Sequence, residues 1–107
     1  MTRTQLPDPD VFLDTEEHRY EIMADGGLAG FAIYDSRPAS VVFTHTEIRR
    51  QFAGRGLGAR LIGAALDDVR RQGRTATPLC PFVAGYIRRH PEYVDLVDEA
   101  HRGEFTG

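Results

Sequence analysis

The sequence predicts a mixed α/β (α+β) fold: an antiparallel β-meander, a glycine loop, a helix that crosses over to a further strand, and short C-terminal helices. Three observations support this prediction. β-Branched and alternating segments fill the first half of the chain, apolar residues at helical spacing follow a glycine-rich stretch, and prolines begin two later segments. With 107 residues, 41% of them hydrophobic, the chain is long enough for one domain with a single core.

Three strands are predicted in the first half. The stretch HRYEIMA (18–24) alternates in part, and the DGG turn at 25–27 signals a hairpin into LAGFAIYDS (28–36). A second turn at 37–38 leads into ASVVFTHTEI (39–48), which is rich in β-branched residues. Because consecutive strands with such short connections pair antiparallel, we expect a meander.

A helix is predicted after Gly56, where the apolar period changes. The residues at helical spacing are Leu57, Leu61, Ile62, Ala65, Leu66 and Val69. Gly73 is the expected C-cap of this helix. The stretch TATPLC (75–80) then predicts a strand, which the helical crossover makes parallel to its neighbour. Pro78 predicts irregular pairing in that strand.

Two short helices are predicted in the last third of the chain. PFVAGYIRR (81–89) has a proline in its first turn, and HPEYVDLVDEA (90–100) has a proline as its second residue. Residues 1–10 contain two prolines and little to bury, so we expect a flexible N-terminal tail before a domain at 11–98. A C-terminal tail is expected at 99–107.

The composition indicates where in the cell the protein is located and argues against a disulfide or a metal site. No apolar run approaches the roughly 18 residues of a membrane-spanning helix, and the N-terminus MTRTQLPDPD lacks the pattern of a signal peptide. We therefore expect a cytoplasmic protein with no membrane partner. One cysteine, Cys80, cannot form an internal disulfide, and four scattered histidines do not predict a metal site.

Positive charge is concentrated in the middle of the chain. Residues 49–90 contain nine arginines and two aspartates, whereas residues 1–48 contain three arginines and nine acidic residues. The middle segment predicts an anionic ligand; the alternative is that its arginines only solvate a helix face. We expect no nucleic-acid partner, because such surfaces interleave basic and exposed aromatic residues, and this segment has only Phe52, Phe82 and Tyr86.

The glycine loop AGRGLGA (53–59) fits more than one phosphate-binding pattern. It satisfies the dinucleotide spacing G-x-G-x-x-G/A, but no acidic residue between Asp68 and Glu92 is present to hold a ribose, and too few strands follow. A Walker A loop is excluded, because no lysine follows the glycines. As the start of a helix, the loop offers unpaired N–H groups and the positive end of the helix dipole to an anion. The alternative is a strand-to-helix turn that binds nothing.

The order of meander, glycine loop, helix and diverging strand, together with FAGRGLGARL (52–61), resembles the GNAT superfamily of acyl-CoA-dependent N-acyltransferases. The motif of that superfamily is Arg or Gln, two residues, Gly, one residue, and Gly or Ala, and it binds the pyrophosphate of coenzyme A. Gly56 and Gly58 fill the glycine positions. Ala53 stands where the motif has Arg or Gln, with Gln51 and Arg50 nearby.

A narrower resemblance covers residues 18–98. The runs VVFTHTEI (41–48) and LCPFVAGYIRRHPEY (79–93), with the glycine loop between them, resemble the minimal, single-domain branch of the GNAT superfamily. That branch keeps the acetyl-CoA core and lacks the flanking helices that shape the acceptor pocket in larger members.

Helix-terminus chemistry and the resemblance together predict a coenzyme A site. Main-chain N–H groups of the loop and first helical turn contact the pyrophosphate, and the end of the preceding strand binds the pantetheine arm through its backbone. An arginine of the second helix meets the 3′-phosphate or only solvates the helix end. The residues so assigned are Thr46, Ile48, Gly54, Arg55, Gly56, Leu57, Gly58, Ala59, Arg60 and Arg89.

Three side chains are candidates for proton transfer. Strand alternation places His45 and Glu47 on one face and Thr46 on the other. Glu47 is a candidate general base and His45 a second, each being otherwise a solvated strand-end residue. The resemblance makes Tyr86 the candidate acid that protonates the coenzyme A thiolate, the alternative being an ordinary tyrosine of an amphipathic helix.

Cys80 is the fourth catalytic candidate. It stands directly before Pro81, near a helix N-terminus, where the helix dipole and the surrounding arginines favour a thiolate. Resemblance to the minimal branch places it where the acyl thioester should lie. Its role is then a nucleophile that forms an acetyl-cysteine, or a neutral wall of the pantetheine channel. The remaining alternative is a small buried apolar residue.

These features predict an N-acetyltransferase that moves an acetyl group from acetyl-CoA, its cosubstrate, to an unidentified amine acceptor. We expect it to act without a metal, as a monomer or weak dimer. The alternative is a non-catalytic acyl-CoA binding or sensing module, because so small a domain has little surface from which to build an acceptor site.

Overall fold

The β-rich first half and the amphipathic helix of this chain build one mixed sheet with helices packed against it, as a computed structural model that describes residues 3–106 shows. The strands are β1 (Arg3–Gln5), β2 (Val11–Asp14), β3 (Arg19–Ala24), β4 (Gly27–Ser36), β5 (Ser40–Ile48) and β6 (Thr75–Pro78). The helices are α1 (Leu57–Arg71), α2 (Pro81–Arg89) and α3 (Glu99–Arg102), with 3₁₀ turns at Arg50–Phe52, Pro91–Leu96 and Gly103–Phe105. The sheet order follows the chain from β1 to β6, and only the last pair is parallel, so the predicted fold class is confirmed.

The meander has five strands, two more than the sequence predicts. β1 and β2 lie where residues 1–10 are predicted to be a tail and where residues 11–14 carry no strand signal. Arg3 explains the first of these strands, because its Nε donates to the Glu21 carboxylate at 2.8 Å and its guanidinium lies over the Phe12 ring at 4.4 Å. The predicted tail therefore contains a paired strand at Arg3–Gln5, whereas residues 1–2 lie outside the described residues.

The central helix buries its apolar stripe against the sheet. Leu61 and Leu66 of α1 have no exposed surface and join one core with Tyr20 and Phe43 of the strands. Burial of each such leucine stabilises the fold by roughly 1.5–3 kcal/mol. The Tyr20 hydroxyl donates to Asp68 at 2.8 Å, which ties β3 to the helix.

The crossover from α1 to β6 differs in two details from the prediction. Gln72 is the C-cap of α1, and the predicted cap, Gly73, follows it with a left-handed φ of +70°. β6 pairs parallel with β5, as predicted, but the register stays regular through Pro78, which lies opposite Phe43. β6 is the last strand of the sheet and Pro78 its last residue, a place where a missing N–H is tolerated.

The segment after α2 folds against the free edge of β6. A helix is predicted for residues 90–100, but the chain forms a 3₁₀ turn and then α3. The cause is tertiary, because Val97 is fully buried, bridges to Ala76, and is followed by an Asp98 N–H that donates to the Ala76 carbonyl at 3.1 Å. The first residues of the expected C-terminal tail therefore form α3 and belong to the folded domain.

A chain of hydrogen bonds anchors this segment. The Ser40 and Thr77 hydroxyls share a hydrogen bond, Thr77 donates to Asp98, and the Asp98 carboxylate accepts from His101, each over 2.7 Å. The bond to Asp98 raises the pKa of His101. Burial would raise the pKa of Asp98, but the hydrogen bonds from His101 and Thr77 lower it below its usual range.

Replacing His101 with alanine should therefore cost stability in a pH-dependent way. A raised pKa of His101 means that its contribution is complete below the ordinary value of 6.5 and is lost as the pH rises through the folded-state value. Chemical denaturation of both proteins at about pH 5.5 and about pH 8.5 measures the difference. Asp98→Asn, which keeps the shape but removes the charge, serves as the control and should lack this pH dependence. A wild-type advantage over His101→Ala that is the same at both pH values contradicts the account.

Candidate functional site

The glycine loop turns the chain from the end of β5 into α1 with two left-handed residues. Gly54 and Gly56 have φ values of +79° and +74°, which side chains rarely tolerate. A Cβ added at either position would meet no atom within 4 Å. These two glycines are therefore needed for backbone conformation, and space around them remains open.

The first turn of α1 has no side-chain cap. Gly56 occupies the N-cap and has no side chain to accept from the helix, and the first intrahelical bond runs from the Arg60 N–H to the Gly56 carbonyl at 3.2 Å. The N–H groups of Leu57, Gly58 and Ala59 thus have no acceptor within the helix. Together with the positive end of the helix dipole, they form a group of donors suited to an anion.

The structure gives a reason for a glycine at position 58 that the sequence alone did not show. A Cβ at this position would lie 2.5 Å from Cζ of Phe82, whose ring reaches from α2 onto the helix terminus. The sequence assigns this glycine to the coenzyme A site, which stays a prediction, and in the structure the glycine makes room for an aromatic ring. Phe82 is 40% exposed, so part of its ring faces solvent.

A depression of about 280 Å³ opens in front of the helix terminus. It is lined by Ile48, Phe52, Ala53, Gly54, Gly56, Leu57, Gly58, Ala59 and Phe82. The lining is mainly apolar, so the helix N–H groups supply its polar character. Such a combination of apolar walls and a few directed donors is typical of a ligand site.

Two of the three arginines assigned to the coenzyme A site, Arg55 and Arg60, are paired with carboxylates. Arg55 donates to Asp25 at 2.8 Å, and Arg60 donates to Asp8 at 2.7 Å and to Asp10 at 2.9 Å. These hydrogen bonds raise the pKa of both arginines, and the bond from Arg55 lowers the pKa of Asp25. The main-chain groups of the helix, rather than these side chains, are the free donors at the loop.

Arg89 lies away from the glycine loop along the second helix. Its Nη1 is 3.4 Å from the position that a Cβ of Gly85 would take. The side chain is exposed, as a residue that only solvates the helix end would be. Its predicted contact with a 3′-phosphate stays a prediction.

The end of β5 carries backbone groups that no strand pairs on one side. The Arg49 N–H donates to the Ala29 carbonyl, which fixes the alternation of the β4–β5 ladder. In that alternation the N–H and C=O groups of Thr46 and Ile48 point away from β4. The ladder with β6 ends at Phe43, so the two strands part there and leave this edge open.

Cys80 lies where the two strands part. Its N–H donates to the Phe43 carbonyl at 2.9 Å, it is the N-cap of α2, and it is only 3% exposed. Its Sγ donates to Thr46 Oγ1 at 3.4 Å. The structure thus brings together the two residues that the sequence placed at the pantetheine arm and at the thioester.

His45 and Glu47 lie on the other face of β5. Their side chains are 57% and 54% exposed, and His45 Nε2 is 3.5 Å from Glu47 Oε1. The predicted alternation is therefore present, with Thr46 directed toward Cys80 on the helix side. A base on this face would reach an acceptor that approaches from the side opposite the helices, and that role stays a prediction.

Tyr86 belongs to a different group of residues. Its hydroxyl would lie 2.7 Å from a Cβ of Gly63 in α1, and its ring stacks on His90 at 4.0 Å and meets Tyr93 at 5.8 Å. Burial raises the pKa of Tyr86, with the nearby carboxylates adding to the effect. These contacts place the hydroxyl between α1 and α2, a full helical turn and more beyond Cys80, so its role as the acid stays a prediction.

Two properties complete the description of residues 3–106. No helix within this range is long and apolar enough to cross a membrane. No group of three or more histidine, cysteine or acidic side chains in the same range is arranged to hold a metal ion.

Comparison with known proteins identifies a family for this chain. No curated protein matches the chain. The model of a family described as GCN5-related N-acetyl-transferases matches residues 19–96, from β3 through the glycine loop and α2 to the last 3₁₀ turn before α3. The match spans well over half of the chain and includes the uncapped helix terminus and the parted strands. The chain therefore belongs to the family of GCN5-related N-acetyltransferases, whose domain carries out acyl transfer.

Proposed function

We propose that this protein binds acetyl-CoA and transfers its acetyl group to an amine. The observation that carries the proposal is the position of the uncapped first turn of α1 beside the edge where β5 and β6 part. Membership of the family supports acyl transfer in general. The helix terminus and the strand edge support the choice of a donor that has both a diphosphate and a long amide-bearing arm.

In this proposal the diphosphate accepts from the N–H groups of Leu57, Gly58 and Ala59. The amide groups of the pantetheine arm pair with the free backbone groups of Thr46 and Ile48, as an added strand would. The Phe82 ring lies in the direction that a Cβ of Gly58 would take and forms one wall of the depression that would hold the diphosphate.

One departure from the superfamily motif limits the side-chain contribution. Ala53 stands at the position of the Arg or Gln and offers no donor. Arg50 and Gln51, in the 3₁₀ turn before the loop, are close in sequence but belong to a different turn. The proposed site therefore relies on main-chain donors more than the motif implies.

The transfer itself needs an attacking amine, a carbonyl and a leaving thiolate. The amine nitrogen attacks the thioester carbon, the C–S bond breaks, the amine loses a proton to a base, and the thiolate gains one. Glu47, directly or through water, is the proposed base, with His45 as the second candidate, and Tyr86 is the proposed acid. In the alternative route Cys80 Sγ attacks the thioester carbon, the C–S bond to coenzyme A breaks, and the thiolate of coenzyme A takes up the proton that Cys80 loses. The amine then attacks the acetyl-cysteine, loses its proton and releases the Cys80 thiol.

A non-catalytic acyl-CoA binding module is the competing function. Both functions require the coenzyme A site, so binding alone does not separate them. Turnover does: a screen of amine acceptors with detection of the free thiol of coenzyme A should reveal catalysis by the proposed enzyme.

Acetyl-CoA should raise the melting temperature of the protein. Ligand at about 100 times its Kd adds about 2.7 kcal/mol to stability by mass action, which raises the melting temperature of a domain of this size by about 10 °C. Coenzyme A that lacks the 3′-phosphate should give a smaller shift if an arginine such as Arg89 meets that group. Thermal denaturation at rising ligand concentration checks both points. No shift with millimolar acetyl-CoA contradicts the proposed function.

A negative charge at position 58 should block the diphosphate. Because a side chain there would meet Phe82, the comparison is made in a Phe82→Ala background, with Gly58→Asp and its uncharged match Gly58→Asn. The aspartate suits the helix dipole and should not weaken folding, but it occupies the anion site. Titration calorimetry should show acetyl-CoA binding roughly tenfold weaker with aspartate than with asparagine. Equal affinities mean that the anion binds elsewhere.

Cys80 should carry an acetyl group if the two-step route operates. Intact-mass analysis after incubation with acetyl-CoA alone should show one added acetyl group, absent in Cys80→Ala. Iodoacetamide labelling across a pH series should show a reactive thiol that acetyl-CoA protects. Cys80→Ser keeps the contact with Thr46 and controls for lost packing. A thiol that labels only after denaturation, with full transfer by Cys80→Ala, reduces Cys80 to a packing role.

A further inference from the structure

The hydroxyl of Thr46 lies at the point where β5 and β6 part. The two strands pair as far as Phe43 and Pro78, and beyond this point the Cys80 N–H donates to the Phe43 carbonyl at 2.9 Å. Further along β5, the Thr46 side chain contacts Cys80, with Oγ1 3.4 Å from Sγ. The hydroxyl is therefore close to the free backbone groups that the proposed function assigns to the pantetheine arm.

This hydroxyl retains a free O–H donor. Cys80 Sγ donates to it, which is its only hydrogen bond within residues 3–106. A hydroxyl has one O–H donor besides two acceptor lone pairs, so accepting from the thiol leaves its own hydrogen available. The other threonines of β5 and β6 each donate to an acceptor in the protein: Thr44 to Ile33, Thr75 to Ala39 and Thr77 to Asp98.

The hydroxyl is the more accessible member of the pair that it forms with the thiol. Thr46 is partly exposed, whereas Cys80 is 3% exposed. Cys80 is the N-cap of α2, but its thiol accepts no hydrogen bond from the N–H groups of that helix, and its contact is with a neutral hydroxyl. A donor at the open edge is therefore supplied by Thr46 more readily than by Cys80.

Acyl transfer is faster when a donor faces the carbonyl oxygen. As the nucleophile adds to the thioester carbon, an electron pair of the C=O bond moves onto the oxygen, and a hydrogen bond to this oxygen lowers the barrier. In the proposed complex the free backbone groups of Thr46 and Ile48 pair with the amides of the pantetheine arm. The side-chain donor of Thr46, in contact with Cys80 where the thioester is expected, is then available for the acetyl carbonyl.

We propose that the Thr46 hydroxyl donates to the acetyl carbonyl oxygen and stabilises the negative charge that forms there during transfer. The inference rests on the proposed function and gives Thr46 a side-chain role besides its backbone contacts. When the amine nitrogen bonds to the carbonyl carbon, the oxygen that gains the electron pair accepts from Oγ1. The pair returns to the C=O bond as the C–S bond breaks and sulfur takes the bonding electrons, and Thr46 keeps its proton throughout. The hydroxyl serves the same purpose if Cys80 attacks first.

Infrared difference spectroscopy of the bound thioester tests the proposal without an acceptor. The full chain is loaded with acetyl-CoA and, separately, with acetyl-CoA labelled with ¹³C at the carbonyl, so that subtraction isolates the acetyl C=O band. A hydrogen bond to the oxygen lowers the stretching frequency of this bond. The frequency should therefore be lower in the wild type and in Thr46→Ser than in Thr46→Val or Thr46→Ala, which lack the hydroxyl. Cys80→Ala, whose side chain takes up no acetyl group, should keep the lower frequency.

Titration calorimetry gives a second readout of the same hydrogen bond. Thr46→Val should bind acetyl-CoA roughly two- to tenfold more weakly than the wild type, the effect of one hydrogen bond, and should bind coenzyme A, which has no acetyl carbonyl, equally well. Thr44→Val removes a neighbouring exposed hydroxyl of the same strand and should match the wild type with both ligands. An equal loss of affinity for acetyl-CoA and coenzyme A in Thr46→Val contradicts the proposal.

The spectroscopic outcomes separate this inference from the function on which it rests. A wild type that binds no acetyl-CoA overturns both. Acetyl-CoA that binds the wild type with the same carbonyl frequency as a folded Thr46→Val or Thr46→Ala variant overturns the role of Thr46 and leaves the coenzyme A site intact. A frequency that rises in Cys80→Ala to the value in Thr46→Val also overturns it, because the thiol is then the donor.

Discussion

The start of α1 is the constraint on which the rest of this structure depends. Three main-chain N–H groups there have no acceptor in the helix, and the N-cap is a glycine that cannot supply one. A left-handed Gly56 directs the chain so that these groups face an apolar depression rather than the protein interior. The fold therefore retains an uncapped, positively polarised helix end beside the open edge of β5, an arrangement suited to an anionic ligand.

The start of α1 lies beside the edge where β5 and β6 part. The two strands pair from Ser40 to Phe43, and beyond this point Cys80 takes the place of a paired strand residue. Arg55 and Arg60 are held by carboxylates from distant parts of the chain, which neutralises the two arginines of the middle segment nearest the glycine loop. In the proposed site, with paired arginines and free main-chain donors, geometry contributes more than net charge to the choice of ligand.

Local patterns made α1, α2 and the inner strands of this fold predictable, and non-local contacts explain the rest, including the 3₁₀ turn where a helix was predicted for residues 90–100. The period change at Gly56 and the hairpin turn at 25–27 are signals within a few residues, and α1, β3 and β4 follow them. β1 has three exposed residues and is held by Arg3 on Glu21, a contact across strands that no local pattern reveals. At the candidate site, the helix terminus was predicted because its signal, the glycine pattern, is local in sequence. The position of the Phe82 ring over Gly58 was not predicted, because it depends on how α2 packs.

Backbone amide NMR during titration with coenzyme A tests the central claim most directly, because it observes the donor groups themselves. The largest shifts should fall on the N–H groups of Leu57, Gly58 and Ala59, with a second set at Thr46 and Ile48 on the open edge of β5. Residues of the sheet far from this edge should change little. Saturable binding with shifts that leave Leu57–Ala59 unaffected, or no binding at all, would contradict the assignment of the uncapped helix end as the anion site.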